Sequence, residues 1–348
     1  MWCCISSTVE TMMKVLVCAL GILWNSVSFV NLQTIGILLF AIYFFRLIKI
    51  CFNYSIGKML FSKRRNLKHA GEWAIVTGAT DGIGKAYAEE LAKDGLNIML
   101  ISRNLEKLKK VANEIESCYH VKTRVVVADF TQNNIYESIE KEITSLSSIA
   151  CLVNNVGMSY PYFANFADGK FMNCHFIQQL INCNTLSMAS MIYLVLPKLL
   201  KQRQNLNAAA TTASPAIINI GSFLGSLPSP YCTLYGSTKS FIHHFSLSIA
   251  AELNTTSENN NNNSNQIIIQ TVCPLFVATA MSNTSKTSFF IPSARNFAHS
   301  ALNMLGVEAL TAGCFAHALQ SYLVALTPLS RLHDRYKKMA VKARRKYE

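Results

Sequence analysis

The sequence predicts an α/β chain, a doubly wound parallel sheet preceded by an N-terminal transmembrane segment. Three observations carry that expectation. From residue 72 onward, short β-branched apolar runs alternate with longer segments of helical period; the glycine-rich turn TGATDGIG follows the first of these runs directly; and residues 15–45 form an uncharged stretch ahead of both.

The uncharged stretch, VLVCALGILWNSVSFVNLQTIGILLFAIYFF, exceeds the ~20 residues that cross a bilayer. Polar residues gather in its middle, at Asn25, Ser26, Ser28, Asn31, Gln33 and Thr34. It is therefore either one tilted span with an interfacial piece or two short spans in a hairpin, and the hairpin is the preferred reading. A cleaved secretory signal would need a shorter apolar core and a small-residue cleavage site. The net charge of +13 resembles a nucleic-acid binder's, but its placement argues against that reading. Residues 46–68 hold seven Lys or Arg and no acid, residues 331–348 hold eight against Asp334 and Glu348, and the rest is neutral overall. Basic residues directly after an apolar span mark a cytoplasmic side and suit an anionic lipid surface, so the expected partner is membrane lipid and not nucleic acid. Eleven cysteines without metal-ligand spacing fit a reducing compartment, with no metal site expected. The sequons at Asn53, Asn254, Asn262 and Asn283 would then stay unmodified.

Strands are expected at 72–77, 96–102, 123–128, 150–154, 216–221 and 266–272, with helices near 83–94, 104–117, 132–146, 173–202 and 235–253. Strands separated by helices imply right-handed βαβ units and a parallel sheet covered on both faces. The strand runs are apolar almost throughout, as doubly covered strands should be. Polar insertions at 202–215 and 254–266 interrupt the order, and the second, rich in Asn, is expected to be a disordered loop. The segment ALNMLGVEALTAGCFAHALQSYLVAL is expected to be helical, suited to core packing or a membrane surface. The resulting division is a membrane anchor at 1–62 with one or two spans within 15–52, a basic linker at 63–71, a catalytic domain at 72–293, and a membrane-proximal helical region with a basic tail at 294–348.

The turn after the first strand carries the clearest chemistry. Gly78, Gly82 and Gly84 allow a tight turn, let backbone N–H groups approach a pyrophosphate, and aim a helix N-terminus at its charge. In this strand–loop–helix context the motif indicates a Rossmann-type dinucleotide site, with Thr80, Asp81 and Ile83 completing the loop. Where an NAD-type site would place Asp or Glu at the end of the second strand, LISRN places Arg103. A guanidinium meets a 2′-phosphate by charge-assisted contacts, so NADPH is favoured over NADH. Asp129 ends the third strand where a carboxylate can accept from an adenine amino group, and NNVG, with Asn155, ends the fourth near the expected ribose and floor of the site. Ser222 ends the fifth strand and Tyr235 follows thirteen residues later. Tyr235 and Lys239 are one helical turn apart, a spacing that alone is compatible with surface decoration. Ligands of open parallel sheets bind beyond the carboxyl ends of the strands, so all these pieces converge on one crevice.

TGATDGIG, NNVG, the strand-end Ser222 and YGSTK together resemble the short-chain dehydrogenase/reductase family over roughly residues 72–281. GEWAIVTGATDGIGKAYAEELAKDGLNIMLISRN, LVNNVGMSYPY, LVLPKLL and PLFVAT are similar to its branch of endoplasmic-reticulum very-long-chain 3-oxoacyl-CoA reductases, also called type 12 17β-hydroxysteroid dehydrogenases. The resemblance implies that Tyr235 is the general acid and that Lys239 lowers its pKa and holds the nicotinamide ribose. It also implies that Ser222 orients the substrate oxygen and that Asn184 holds a water linking the lysine to solvent. The chain departs from the common family pattern at Pro274–Leu275–Phe276, where many members have Pro-Gly, and in the length of the Asn-rich insertion.

The expected function is NADPH-dependent reduction of long 3-oxoacyl-CoA thioesters in fatty-acid elongation, by an enzyme in the endoplasmic-reticulum membrane facing the cytosol. A 17-ketosteroid reductase would use the same four catalytic residues, and a silent membrane scaffold of an elongation complex is the third reading. The resemblance also implies a homodimer through the helices near 173–202 and 235–253, with fatty-acid elongation proteins as possible partners. Arg345 and Lys346 approximate a dilysine retrieval signal near the C-terminus.

Overall fold

The structure, a computed structural model, describes residues 32–167, 170–208, 213–258 and 267–347. The N-terminal half of the expected anchor and most of the Asn-rich insertion lie outside these residues, as do Asn262 and most of the insertion after residue 208.

Two compact units divide at Cys51 and Phe52. In the first, helix α1 (Leu32–Phe52) is long and apolar enough to cross a bilayer, and its side chains are mostly exposed, among them Ile37, Phe40 and Phe45. A soluble core helix would bury such a surface. The second unit begins with a π turn and helix α2 (Lys58–Phe61), then α3 (Leu67–Ala70). Between these, Arg64 forks onto Asp94, its Nε donating to Oδ2 at 2.6 Å and its Nη2 to Oδ1 at 3.0 Å, while Nη2 also reaches Glu90 Oε2 at 2.7 Å. The guanidinium is buried, so the basic linker is fastened to the sheet-covering layer by a desolvated ion pair rather than a surface one.

From there strands and helices alternate: β1 (Trp73–Thr77), α4 (Gly82–Lys93), β2 (Asn97–Ser102), α5 (Leu105–Tyr119), β3 (Thr123–Val127), α6 (Tyr136–Thr144), β4 (Ile149–Asn154), α7 (Cys174–Ile181), α8 (Ser187–Ala208), β5 (Ala216–Ile220), α9 (Thr233–Glu258) and β6 (Ile268–Val272). Then follow α10 (Ala294–Asn303), β7 (Leu310–Thr311), α11 (Phe315–Ala325) and α12 (Leu329–Tyr347). The seven strands form one parallel sheet in the order β3-β2-β1-β4-β5-β6-β7. Alternate residues of β1 show why the strands are apolar throughout. Ala74 and Val76 face a core shared with Tyr87 and Leu91 of α4, Leu108 and Ile115 of α5, and Phe297 of α10. Trp73 and Ile75 face the opposite core, shared with Ile139 of α6, Met191 and Val195 of α8, and Ile242 of α9. Both faces of the sheet are dry, and the strand order reverses between β1 and β4, which sets the ligand crevice beyond their carboxyl ends.

All six expected strands are present. The structure adds β7, whose two residues pair with Thr271 and Val272. It interrupts the segment expected to be helical, and a two-residue strand is too short to leave a periodic signature in the sequence. The long helix expected at 173–202 is likewise broken, by a π turn over Asn182–Leu186 between α7 and α8.

Candidate active site

The glycine turn leaves β1 with Gly78 at φ 64° and Gly82 at φ 54°, a left-handed backbone that disfavours side chains. A Cβ on Gly84 would lie 2.3 Å from both Asn155 Nδ2 and Gly78 O, so helix α4 starts hard against β4 and the turn itself. Asp81 caps α4, its carboxylate accepting from the Gly82 N–H at 2.6 Å. The next amides of the first turn, Ile83 and Gly84, have no partner within the helix. A pyrophosphate fits such a turn. The loop is pinned on both sides: Thr80 Oγ1 lies 3.1 Å from Ser102 Oγ, next to the exposed Arg103, and Asn155 Nδ2 donates to Thr77 O at 3.0 Å and Gly78 O at 3.2 Å. Asn155 thus spends its amide on the loop. Asp129 forms an Asx turn, accepting from the Thr131 N–H at 3.0 Å and the Thr131 hydroxyl at 2.9 Å, and Asn182 in the π turn donates to Thr131 O at 3.0 Å.

At the other end of the crevice, Ser222 follows β5 and Tyr235 sits in the first turn of α9. Their hydroxyls are hydrogen-bonded, and the phenol is buried. Lys239, one turn on, runs beneath Tyr235 with Nζ 5.8 Å from the ring centroid and donates to Ile220 O at 2.9 Å. Asn184 lies in the π turn, a local irregularity often found at functional sites. Its Oδ1 accepts from Met158 N–H at 2.8 Å, and its Nδ2 donates to Met158 O at 2.9 Å and Thr238 Oγ1 at 3.0 Å. A Cβ on Gly157 would lie 3.3 Å from Asn184 Oδ1 and 3.6 Å from Lys239 Nζ, so the asparagine and the lysine border one point of the β4 loop. The two ends also meet. The Cys183 thiol, pushed up to about 11 by burial, is acted on by the charges of Lys239, Asp129 and Arg103 together.

Burial sets the protonation states. It pushes the Tyr235 phenol up to about 12, against the opposing bond from Ser222, and brings Lys239 down to about 8. This differs from the sequence expectation, in which the lysine charge lowers the phenol pKa. Loss of water around the hydroxyl outweighs any help from the ammonium, so the phenol keeps its proton at neutral pH. A protonated phenol beside a hydroxyl donor can hydrogen-bond and protonate a carbonyl oxygen.

A model of the short chain dehydrogenase family matches residues 72–288, from the start of β1 through β6 and the loop beyond it. The chain belongs to the short chain dehydrogenase family. It is 41% identical to a very-long-chain 3-oxoacyl-CoA reductase of Anas platyrhynchos over 75% of this chain and 77% of that one. To the very-long-chain 3-oxoacyl-CoA reductase of Homo sapiens it is 39% identical over 74% and 76%. Among solved structures it resembles a bulky-bulky ketone specific alcohol dehydrogenase from Comamonas testosteroni, with a TM-score of 0.57 and 25% identity over 69% of this chain and 86% of that one. As a short chain dehydrogenase the chain is an oxidoreductase that works with a nicotinamide cofactor.

Some residues around this dehydrogenase site escaped sequence reasoning. The ring of His317, fully buried on α11, accepts from the Leu275 N–H through Nδ1 at 3.3 Å and donates from Nε2 to Phe276 O at 3.2 Å. The two bonds fix its neutral tautomer, and they pin the chain just after β6, where Leu275 follows Pro274 in place of the common glycine. His243, one turn beyond Lys239, places Nε2 2.9 Å from Cys273 Sγ. Its spacing from Tyr235 and Lys239 was visible in the sequence, whereas the partner at the end of β6 was not. Tyr160 accepts from the Leu234 N–H at 3.0 Å, steadying the start of α9.

Proposed function

We propose that the protein reduces very-long-chain 3-oxoacyl-CoA thioesters to 3-hydroxyacyl-CoA with NADPH, as the first reduction in each fatty-acid elongation cycle. The observation that carries this reading is the hydrogen-bonded Ser222–Tyr235 pair above buried Lys239, in a chain about 40% identical to reductases of that name. When bound, the cofactor supplies a hydride to the carbonyl carbon. Tyr235 gives its phenolic proton to the carbonyl oxygen, and the Ser222 hydroxyl donates to the same oxygen and orients it. Lys239, held by Ile220 O, places its charge under the phenol as the proton leaves and would hold the nicotinamide ribose. Asn184 acts through Met158 and Thr238 to hold this end of the crevice, and is the residue placed to keep a water between Lys239 and solvent.

The cofactor would be held by the turn of Gly78, Thr80, Asp81, Gly82, Ile83 and Gly84 at the pyrophosphate, by Arg103 at the 2′-phosphate, by Asp129 at the adenine, and by Asn155, Tyr235 and Lys239 toward the nicotinamide end. NADPH and NADH differ only in the 2′-phosphate, so the exposed Arg103 is the residue that would favour NADPH.

The reading includes anchorage in the endoplasmic-reticulum membrane by the segment ending in α1, with the catalytic unit in the cytosol. The basic residues after the span support that orientation. It also includes a homodimer through α8 and α9, on which Tyr193, Phe241 and Leu247 expose large apolar surface. The substrate is tested with the full chain in detergent, NADPH, and either a long 3-oxoacyl-CoA or estrone. NADPH oxidation with the thioester is expected. Oxidation with estrone alone would replace this reading by that of a ketosteroid reductase.

A further inference from the structure

Outside the anchor and its linker, the protein's net positive charge sits on one element. Over its described side chains, helix α12 carries Arg331, Arg335, Lys337, Lys338 and Lys342 against the single acid Asp334. All five cations are exposed, and none forms an ion pair among the described residues. Arg331, Arg335, Lys338 and Lys342 recur at i, i+4, i+7 and i+11, so they form one band along the helix.

The helix that carries the band lies beside the crevice because of what its buried stripe touches. Leu332, Tyr336 and Ala340, at i, i+4 and i+8, are buried. The Tyr336 ring stacks on Phe163 with centroids 6.0 Å apart and planes 13° apart, and Phe163 packs against the cluster of Tyr160, Leu180, Cys232 and Tyr235. The Tyr336 hydroxyl bonds Ser229, whose Cβ lies 3.0 Å from where a Cβ on Gly236 would stand. Helix α12 is therefore docked two contacts away from the catalytic tyrosine. No residue of the band is more than six positions, about 9 Å along the axis, from Tyr336.

We propose that this band binds the phosphates of the coenzyme A half of the substrate. The inference rests on the 3-oxoacyl-CoA reading above. Coenzyme A ends in a pyrophosphate and a 3′-phosphate, carried by a pantetheine arm about as long as three helical turns, ~16 Å. A thioester held at Tyr235 thus has an arm long enough to reach toward a helix docked two contacts away. Arg and Lys spaced by single turns suit several phosphates at once. Lipid headgroups offer the same phosphate chemistry, but a helix that adheres to a bilayer keeps its apolar stripe free for the acyl boundary. Here Leu332, Tyr336 and Ala340 are already buried, Tyr336 against Phe163 and Ser229, while Leu329, Met339 and Val341 stay exposed as separate side chains.

The test uses the full chain in detergent, as wild type and as R331Q/R335Q/K338Q/K342Q, with one long 3-oxoacyl chain presented either as its CoA thioester or as its N-acetylcysteamine thioester, which lacks every phosphate. The expected result is a KM for the CoA thioester about 10- to 100-fold higher in the variant, with kcat kept and both constants for the N-acetylcysteamine thioester unchanged. Adenosine 3′,5′-bisphosphate should inhibit the wild type competitively and the variant far less. Equal constants for wild type and variant on both thioesters would overturn the proposal. So would a loss on both thioesters that appears only in phosphatidylcholine vesicles containing phosphatidylserine, since that would assign the band to lipid. If the wild type reduces estrone and neither thioester, the underlying reading fails and the proposal with it.

Discussion

At one end of the crevice the binding surface is backbone, with the chain turning from Gly78 to Gly84 and a Cβ at either of these two glycines meeting other atoms at under 3.0 Å. At the other it is side chain, with Asn184, Ser222, Tyr235 and Lys239 brought from β5, α9 and a π turn to a single buried point. The difference decides what each end tolerates. A backbone-built site fails by steric exclusion, and most substitutions there strike the fold and the cofactor together. A side-chain site can lose its chemistry while the fold persists, because Asn184 and Lys239 are held by separate bonds, to Met158 and Thr238 and to Ile220 O.

Gly84→Val should show the first behaviour at its strongest. Its Cβ would press on Asn155 Nδ2 and Gly78 O at 2.3 Å, an overpacking that involves backbone as well as a committed amide. We expect either loss of folded protein by circular dichroism or an NADPH affinity reduced about 100-fold, close to 3 kcal/mol. Near-normal NADPH binding would show that the turn is roomier than the contacts imply.

The side-chain end sharpens through pH. Burial brings Lys239 down to about 8, while Tyr235 keeps its proton up to about 12. As pH rises through about 8 the ammonium neutralises, and kcat/KM should fall about tenfold for each further unit, well before the phenol ionises. Lys239→Arg, which stays charged, should remove that falling limb from the pH profile. A wild-type profile flat to pH 10 would mean that the charge has no part in the rate.

Asn184→Ala tests whether the two ends are separable. It strips partners from the N–H and C=O of Met158 and from Thr238, which should cost about 1–3 kcal/mol of stability. In a domain of this size each kcal/mol lowers Tm by about 2–4 °C. NADPH affinity should stay within about twofold, because the glycine turn does not depend on these bonds. The smallest effect is expected of His317→Ala, which frees Leu275 N–H and Phe276 O and loosens the chain after β6. Substrate KM should rise by about 3- to 10-fold, corresponding to roughly one hydrogen bond, with kcat nearly unchanged. His317→Gln, which keeps a donor for Phe276, should recover part of it.

The same contrast explains what the sequence made legible. The glycine turn and the six longer strands could be read because each is local: positive-φ glycines in TGATDGIG, and apolar runs such as AIVT and IIIQTV with helices between. Asn184, Ser222, Tyr235 and Lys239 became a site in the sequence only by resemblance, since no periodicity links a π-turn asparagine to a serine after β5. The direction of the Tyr235 shift is not legible in the sequence because it depends on burial, which one side chain's neighbours in sequence do not reveal. Strand β7 and the His317 clasp stayed hidden for a related reason. Each is created by contacts between segments more than thirty residues apart, Thr271 with Leu310 and Leu275 with His317.

The central claim is that Tyr235 delivers the proton in an NADPH-dependent reduction of a long 3-oxoacyl-CoA, and Tyr235→Phe tests it most directly by removing only the hydroxyl. Single-turnover NADPH oxidation should slow by about 10²- to 10⁴-fold, with NADPH affinity and circular dichroism unchanged. Turnover within about threefold of the wild type would contradict the assignment of Tyr235 as the acid.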